Sequence, residues 1–313
     1  MNNSRIITLT LNPAIDLSFA VDVLTVYDKN LADESSTFLG GKGINVAFAL
    51  GKLGAACLAA GFVGRRELAS YSRKLTAVSV ESDFMPVNGR TRVNYKVMDR
   101  SVNKDTEFNQ PGFTVSPAAL AGLERALSAH VPSAAWLALS GSLPLGVPAS
   151  IYADLIRLAN QSGVKTCLDA SGPALAAGLA AKPTLLRVNR AELEQALGRN
   201  LGDQGSLAAG MQELTASGVD IAVISLGKDG VIGSHGRQTW LARVPTVKSL
   251  SLTGAGDTLT AGCLHCLTRG MAFNEMLRFG SALATASTLK AEPGDFDPRD
   301  FFEIFEKTAL RQL

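Results

Sequence analysis

One carboxylate of this chain follows a glycine-rich turn where a strand should meet a helix. The turn and the carboxylate are Thr-Gly-Ala-Gly-Asp at 253–257; the apolar run 243–252 predicts a strand, and 259–267 predicts a helix. Glycines let the backbone bend sharply, and the unpaired N–H groups that begin a helix attract an anion. Asp257 would lie in or near the first helical turn, beside that anion. Such a site is suited to phosphoryl transfer onto a hydroxyl, whose proton the carboxylate accepts.

The same stretch also has a purely structural explanation. A glycine-containing loop with an aspartate that caps the next helix gives this pattern without any ligand, and locally both interpretations fit equally well. The helix N-terminus should stabilise the ionised carboxylate and lower the pKa of Asp257. We therefore expect Asp257 to be ionised at neutral pH, and the rate to show no acidic limb near neutrality.

Polar residues follow other predicted structural elements as well. A first strand over 5–11 precedes Asp16, which could bind a ligand at the carboxyl edge of a sheet or merely cap the turn at Asn12. Glycines at 40, 41 and 43 lead into a predicted helix that ends at Leu53 and carries Asn45 in its first turn. This entry could bind a phosphate or a polyol, or could simply allow close helix packing.

Alternating polar and apolar residues predict a strand over 89–97 with one polar face. The residues that share this face in a regular strand are Arg90, Arg92, Asn94 and Lys96. An ordinary solvated face is the commoner explanation of such a pattern. A phosphate site is the other, because arginine binds phosphate through two parallel hydrogen bonds.

Two of these motifs together resemble one protein family. Gly-Ala-Gly-Asp at 254–257, followed by Ala-Gly at 261–262, is similar to one signature of the phosphofructokinase-B (ribokinase-like) sugar kinases. Gly-Gly-Lys-Gly-Ile-Asn at 40–45 is similar to the family's other signature. Two distant motifs in the expected order argue against a chance resemblance, and the likeness covers nearly the whole chain.

The resemblance implies roles for individual residues. In the family the aspartate is the catalytic base and the turn before it is the anion hole, so the implied catalytic set is Asp257, Gly254, Ala255 and Gly256. The family's aspartate near the N-terminus, here Asp16, binds sugar hydroxyls. Because 89–96 resembles the 1-phosphofructokinase branch, Arg90 would reach the sugar phosphate. The substrate-binding residues expected on this basis are Asp16, Gly40, Gly41, Lys42, Asn45, Arg90, Asn94 and Ser140.

Two further stretches resemble the family's nucleotide site. Asn189 and Glu192 match an Asn-x-x-Glu motif that organises Mg²⁺ and phosphate, although Arg-Val precedes it here where the family has Lys-Pro. Mg²⁺ keeps water and phosphate ligands, so one glutamate acting through water suffices. A capped helix start and a hairpin turn would explain the same residues. The residues expected to bind ATP and Mg²⁺ are Asn189, Glu192, Ser225, Gly227, Gly230 and Thr253, with Glu192 as the metal residue.

Composition argues against several other classes of protein. The 313 residues are 46% hydrophobic and 19% charged, with a net charge of +2, which indicates a globular protein without a strong attraction to nucleic acid or membrane. No apolar run resembles a membrane span or a signal sequence, and the four cysteines should be reduced, so we expect a cytoplasmic protein. Neither a P-loop motif nor a Gly-x-Gly-x-x-Gly after the first strand is present.

Strands and helices alternate along most of the chain. Repeated units of this length predict a mostly parallel sheet with helices on both faces, and a ligand site at its carboxyl edge. Segments 17–39 and 88–112 predict a small second sheet. We therefore expect one α/β domain over 1–313, a three-layer α/β/α sandwich of the ribokinase-like class. The resemblance implies that the small sheet is a lid over the sugar.

The implied activity is ATP-dependent phosphorylation of a ketohexose phosphate, with fructose 1-phosphate as the expected substrate and fructose 1,6-bisphosphate as product. Tagatose 6-phosphate and fructose 6-phosphate are the alternatives. Lys42 favours fructose 1-phosphate and tagatose 6-phosphate over fructose 6-phosphate, because the 6-phosphofructokinase type that the sequence also resembles has glycine there. A protein of another class, which binds a sugar phosphate without turnover, would be indicated by an altered Asp257 or turn, and both are intact. The open face and edges of the small sheet predict a homodimer.

Overall fold

The alternating pattern produces a ten-stranded sheet and a separate four-stranded sheet in the computed structural model, which describes residues 4–313. The strands are β1 (Ile6–Thr10), β2 (Ala14–Val21), β3 (Glu34–Gly40), β4 (Cys57–Gly64), β5 (Glu81–Val87), β6 (Arg92–Asp99), β7 (Lys104–Asn109), β8 (Trp136–Ser140), β9 (Lys165–Asp169), β10 (Leu185–Asn189), β11 (Ile221–Ser225), β12 (Val231–His235), β13 (Gln238–Arg243) and β14 (Ala309–Gln312). The helices are α1 (Lys42–Lys52), α2 (Leu68–Thr76), α3 (Pro117–His130), α4 (Ile151–Gln161), α5 (Gly172–Ala180), α6 (Arg190–Leu197), α7 (Gln204–Ala216), α8 (Ala255–Thr268), α9 (Phe273–Ser287) and α10 (Pro298–Lys307).

The large sheet has the order β14-β13-β12-β11-β10-β9-β8-β1-β4-β5. All pairs from β11 to β5 are parallel, and β12, β13 and β14 add an antiparallel edge. The chain leaves β1 toward β4 on one side and later returns to β8 on the other. Neighbouring strands that diverge in this way leave a crevice at their carboxyl ends, where open α/β sheets bind ligands.

Side-chain alternation along β1 shows why both faces of the sheet are covered. Ile7 and Leu9 pack in a core cluster with residues of α3 to α7, whereas Ile6 packs on the opposite face with residues of α1, α2, α8 and α9. Helix α10 packs on α9 in a smaller cluster. The predicted three-layer α/β/α sandwich is therefore confirmed. Among residues 4–313, no helix combines the length and the apolar character of a membrane span.

The small sheet has the order β3-β2-β6-β7, and its strands fall largely within the two segments predicted from the sequence. Register places Asp16 of β2 beside Asn94 of β6, and Lys96 beside Glu107 of β7. These polar residues line a cavity that the segments before α8 and after α9 complete. The alternate positions of the same strands hold the apolar residues Leu17, Phe19, Val97 and Phe108. That 1–313 forms one domain stays a prediction.

Three expectations about local structure were wrong. The run 243–252 is not a strand beyond Arg243, because Pro245 cannot donate to a sheet and the amides of Leu250 and Ser251 donate instead to the carbonyl of Thr288. Helix α8 begins at Ala255, four residues earlier than predicted. The strand predicted over 89–97 begins only at Arg92, which leaves Arg90 in the preceding loop.

Candidate active site

The turn before α8 has a backbone that only glycine adopts readily. Gly254 has φ of 80°, and a Cβ atom there would overlap Pro293. Within residues 4–313, the amides of Gly256 and Asp257 donate to no backbone carbonyl, since the helical pairing resumes with Thr258 N–H to the carbonyl of Gly254. These free N–H groups at a helix N-terminus form a candidate anion hole.

Asp257 lies in the first turn of α8 and is almost completely buried, with 6% of its surface exposed. Its Oδ2 accepts a hydrogen bond of 2.8 Å from the side-chain amide of Asn45 at the start of α1. Two signatures that are 212 residues apart in the sequence therefore meet at one carboxylate.

The ionisation of Asp257 differs from the sequence-based expectation. Burial first, and the neighbouring Asp169 carboxylate second, raise the pKa of Asp257 to about 6, while Lys42, Asn45 and Arg187 act in the opposite direction. The expected lowering by the helix N-terminus was wrong, because desolvation of this buried group has the larger effect. A raised pKa makes Asp257 a better proton acceptor at neutral pH than an ordinary carboxylate.

A group of charges lies beside Asp257, and its members are buried except for Lys42, whose side chain is partly exposed. Asp169, at the end of β9, has no exposed surface and accepts hydrogen bonds from Lys42 Nζ at 2.6 Å and from Arg187 Nη1 at 3.3 Å. Although burial opposes ionisation, the charges of Arg187 and Lys42 hold the pKa of Asp169 below its usual range. Arg187 also donates to Ser225 Oγ at 2.9 Å, and its guanidinium packs so closely against Gly256 that a Cβ atom there would overlap it.

The sequence predicted Lys42 as a substrate-binding residue, and it predicted no role for Asp169 or Arg187. A signal for Asp169 was available, since it ends a predicted strand as Ser140 and Asn189 do. Arg187 lies inside the apolar strand β10, where a charged residue needs a buried partner. Nothing in the local pattern identified Asp169 as that partner.

On one side of the turn, the polar face of the small sheet forms a cavity with Ser251, Thr253 and Pro293. Asn94 donates to Asp16 Oδ1 at 2.9 Å, and Lys96 Nζ donates to Thr253 Oγ1 at 3.3 Å. Burial raises the pKa of Asp16. This cavity combines carboxylate, amide and hydroxyl groups, which suit the hydroxyls of a sugar. Thr253, which was expected to bind the nucleotide, lies instead on this side.

The glycines and Ser140 at the entrance to α1 lie close to the same region. Gly41 has φ of 130°, which favours glycine, and a Cβ atom at Gly40 would overlap the Asp16 carboxylate unless that side chain moved. Ser140, at the end of β8, is buried, and its hydroxyl has no hydrogen-bond partner within the described residues. Asn45 Oδ1 is likewise unpaired in this part of the chain. Unpaired buried polar atoms are available to a ligand.

The four polar residues predicted on one strand face have separate positions. Asn94 and Lys96 line the cavity, but Arg92 uses its guanidinium to bind the carbonyls of Asn12, Pro13 and Gln110. Arg90 precedes the strand and is exposed, and within residues 4–313 it has no salt-bridge partner. Arg92 therefore joins the small sheet to the segments that lead into and out of it, while Arg90 remains available for an anion.

On the other side of the turn lies an open cavity of about 400 Å³. Its polar lining includes Arg187, Ser225, Gly227, Gly230 and Gly256. Its apolar lining includes Val231, Val244, Val247, Leu259 and Ala284. A cavity beside the turn with both polar and apolar lining is suited to the phosphates and the base of a nucleotide. The structure thus brings together Ser225, Gly227 and Gly230, three of the residues expected to bind ATP.

Asn189 and Glu192 form a capping box at the start of α6. The Asn189 side chain accepts the N–H of Glu192 at 2.9 Å, and Glu192 Oε2 accepts the N–H of Asn189 at 2.8 Å. No group of three or more His, Cys, Asp or Glu side chains that could hold a metal lies among residues 4–313. A single carboxylate with one oxygen outside the capping box fits Mg²⁺ that enters with ATP, because such an ion takes most ligands from phosphate and water.

The model of the pfkB family of carbohydrate kinases matches residues 9–299 of the chain. The chain belongs to this family. The 1-phosphofructokinase of Rhodobacter capsulatus is 36% identical over 288 residues, 92% of this chain and 90% of that protein. The 1-phosphofructokinase of Escherichia coli K12 is 33% identical over 302 residues, 94% of each chain.

Solved structures of the family share the whole fold. Phosphofructokinase-2 of Escherichia coli, in complex with substrates and products, has a TM-score of 0.88 and 29% identity over 96% of this chain and 98% of that one. A possible 1-phosphofructokinase of Thermotoga maritima has a TM-score of 0.86 and 27% identity over 99% of each chain. The predicted family and ribokinase-like fold are confirmed. This pfkB kinase is an ATP-dependent sugar-phosphate kinase, so the alternative of a binding protein without turnover is not supported.

Proposed function

We propose that this kinase transfers the γ-phosphoryl group of ATP to the C6 hydroxyl of fructose 1-phosphate and forms fructose 1,6-bisphosphate. The position of the anion turn carries the proposal: Thr253 lines the polar cavity under the small sheet, Gly256 lines the cavity suited to a nucleotide, and Asp257 follows Gly256 in the first turn of α8. The substrate is inferred from relatives named 1-phosphofructokinase at 31–36% identity. Tagatose 6-phosphate and fructose 6-phosphate are the alternative acceptors.

In the proposed mechanism, Asp16 and Asn94 bind sugar hydroxyls and direct the acceptor hydroxyl toward Asp257. Asp257 orients this hydroxyl and accepts its proton late, as the bond to phosphorus forms. The free amides of Gly256 and Asp257 stabilise the charge that spreads over the transferred oxygens. Mg²⁺, associated with Glu192 through water and with the ATP phosphates, would neutralise charge on those phosphates when bound.

The test of the substrate is an assay of coupled ADP release with fructose 1-phosphate, fructose 6-phosphate and tagatose 6-phosphate. A charged hydrogen bond to a correctly placed phosphate contributes about 1.5–3 kcal/mol, so kcat/KM should be highest for fructose 1-phosphate by about ten- to a hundredfold. An equal or higher kcat/KM for either 6-phosphate would contradict fructose 1-phosphate as the preferred substrate. The broader assignment as a sugar-phosphate kinase would still hold.

Replacement of Arg90 should affect the KM for the sugar phosphate and the KM for ATP differently. Arg90→Ala is expected to raise the KM for the sugar phosphate by about ten- to a hundredfold while the KM for ATP changes little, because one charged phosphate contact is lost. Steady-state kinetics measure both constants. Arg125→Ala, which removes another exposed arginine, on α3, is the matched control and should change neither. Equal effects of Arg90→Ala on both KM values, or no effect, would show that Arg90 does not bind the sugar phosphate.

The raised pKa of Asp257 predicts an acidic limb in the pH dependence. Since the base must be ionised, kcat/KM should fall below about pH 6, by tenfold per pH unit well below it. The rates are measured with both substrates far below their KM values, because kcat/KM then reports the free enzyme. Titration of each substrate by ³¹P NMR allows correction for its own ionisation. A corrected rate that stays constant down to pH 5 would contradict the raised pKa.

The small sheet supports a homodimer as the assembly. Its face away from the cavity holds Leu17, Phe19, Val97 and Phe108, and 60% of the Phe108 surface is exposed. A second copy of the same sheet, laid face to face, would cover this apolar surface and protect the edge strands.

The cysteines support a cytoplasmic location. All four are free and buried, as expected where thiols stay reduced, and ATP is available in the cytoplasm.

Light scattering at micromolar concentration is expected to give twice the mass of the 32.8 kDa chain. Phe108→Glu places a charge in the proposed contact and should shift the protein to monomer. Phe302→Glu changes an equally exposed phenylalanine on α10 and should leave the dimer intact. A monomeric native protein with full activity, or equal effects of the two substitutions, would refute a dimer formed through these sheets.

A further inference from the structure

The group of charges beside Asp257 is larger than a catalytic base requires. Lys42 of α1, Asp169 of β9, Arg187 of β10 and Asp257 of α8 come from four separate elements and meet at the carboxyl edge of the sheet. Burial of charges is costly even when they are paired, so the ion pairs of Asp169 are by themselves weak evidence for a contribution to stability. The cost points to a role in the reaction.

Asp169 is the residue that joins this group together. It has no exposed surface, and each of its oxygens holds a different cation: Oδ1 accepts from Lys42 and Oδ2 accepts from Arg187. It has no place in the proposed contacts with either substrate. The nucleotide cavity is lined by Arg187 but not by Asp169.

The two cations lie where negative charge arrives during the reaction. Arg187 packs against Gly256 in the anion turn and lines the nucleotide cavity, and its Nε–H has no partner within the described residues. Lys42 opens α1 directly after Gly41, and its charge acts on Asp257. Both cations therefore lie beside the turn where the proposed mechanism places the phosphoryl transfer.

The balance of charge changes as the proton moves. With Asp257 ionised, the two carboxylates equal the two cations. When the acceptor O–H bond breaks and its proton passes to Asp257, the new O–P bond forms and the bond to ADP breaks. One positive charge of the group is then uncompensated beside the transferred phosphoryl group, whose oxygens carry negative charge. The attraction between them increases as the transfer proceeds, which favours the transition state over the ground state.

We propose that Asp169 is a positioning residue for phosphoryl transfer, which holds Lys42 and Arg187 beside the anion turn and keeps Asp257 in a balanced group of four charges. This inference rests on the role proposed for Asp257 as the base. Asp169 acts through these neighbours and does not touch the substrates. Its carboxylate also opposes the ionisation of Asp257, whereas Lys42 and Arg187 promote it; these three and Asn45 are the charged and polar groups that act on Asp257.

The test compares the pH dependence of kcat/KM in the native enzyme, Asp169→Asn and Lys42→Met. Asp169→Asn should lower kcat by about tenfold or more, as expected when misplaced groups weaken transition-state contacts. It should also move the acidic limb to lower pH by roughly one unit, because a carboxylate that opposed ionisation is gone. Lys42→Met should move the limb to higher pH, because a cation that promoted ionisation is gone. If Asp169 and Lys42 had a merely structural role, the two substitutions would not shift the acidic limb of kcat/KM in opposite directions.

The controls separate this inference from the proposed function. Asp154→Asn removes a carboxylate from an exposed pair with Arg157 on α4 and should leave rate and limb unchanged. Thermal unfolding confirms that each variant is folded; if Asp169→Asn does not fold, the upward shift in Lys42→Met decides alone. An unmoved limb in a folded Asp169→Asn or Lys42→Met variant overturns the inference. An Asp257→Asn variant that retains both the native rate and the acidic limb instead overturns the role of Asp257.

Discussion

Asp257→Asn is expected to lower kcat by about 10²–10⁴-fold, the usual contribution of a positioned acid–base group. The amide has nearly the same volume and can still accept the hydrogen bond from Asn45, so both KM values should stay within a few-fold. Single-turnover measurements by rapid quench isolate the chemical step from product release. The loss should appear in this step, because only the proton acceptor has been removed.

Asp300→Asn is the matched control for this substitution. Asp300 occupies the third position of α10, as Asp257 does in α8, but it lies in a different part of the chain. This control should keep the native rate. It measures the effect of removing a carboxylate from the first turn of a helix outside the candidate active site. A near-native chemical rate in Asp257→Asn, or an equal loss in both variants, would remove Asp257 from the mechanism.

Gly256→Ala is expected to have the second-largest effect, a loss of about 10²–10³-fold in kcat. The added Cβ atom would overlap the Arg187 guanidinium, so that either Arg187 or the first turn of α8 must move. Loss of one well-placed donor from an anion hole costs this much in other enzymes. The KM for the sugar phosphate should change by only a few-fold, because Asp16 and Asn94 lie on the other side of the turn.

Gly205→Ala is the control for the added methyl group. Gly205 is the second residue of α7, as Gly256 is of α8, and a Cβ atom there meets its nearest neighbour at an ordinary 3.6 Å. Alanine in this position should leave kcat unchanged and favour the helix. If Gly256→Ala keeps the native kcat in a folded protein, the turn is not the anion hole.

The sequence was sufficient for the fold because its signals are local and repeated. Strand–helix units with turn residues between them predicted the parallel sheet, and an alternating stretch predicted the second sheet. Strand β14 was missed because Ala309–Gln312 is only four residues long and has no clear alternation; its pairing with β13 supplies the missing information. The apolar run after Arg243 was misinterpreted because several of its residues line a cavity and do not belong to a sheet.

The site residues that belong to local motifs could be predicted from the sequence. Those whose role depends on contacts between distant segments could not. The turn at 254–257 and the glycine at 41 have backbone requirements that the sequence displays. Asp169 and Arg187 acquire their role only when strands β9 and β10 lie side by side beneath α8. The same holds for the pKa of Asp257, which depends on burial and on Asp169, two properties of the folded chain.

The most direct test of the proposed activity is the identity of the product formed from fructose 1-phosphate and ATP. The native enzyme and Mg²⁺ are incubated with both substrates, and the mixture is followed by ³¹P NMR. Two phosphomonoester signals of equal intensity, one coupled to the protons at C1 and the other to those at C6, should grow in step with ADP. ADP formed without the C6 signal, or phosphorylation of the 6-phosphates alone, would contradict the proposal that this kinase is a 1-phosphofructokinase.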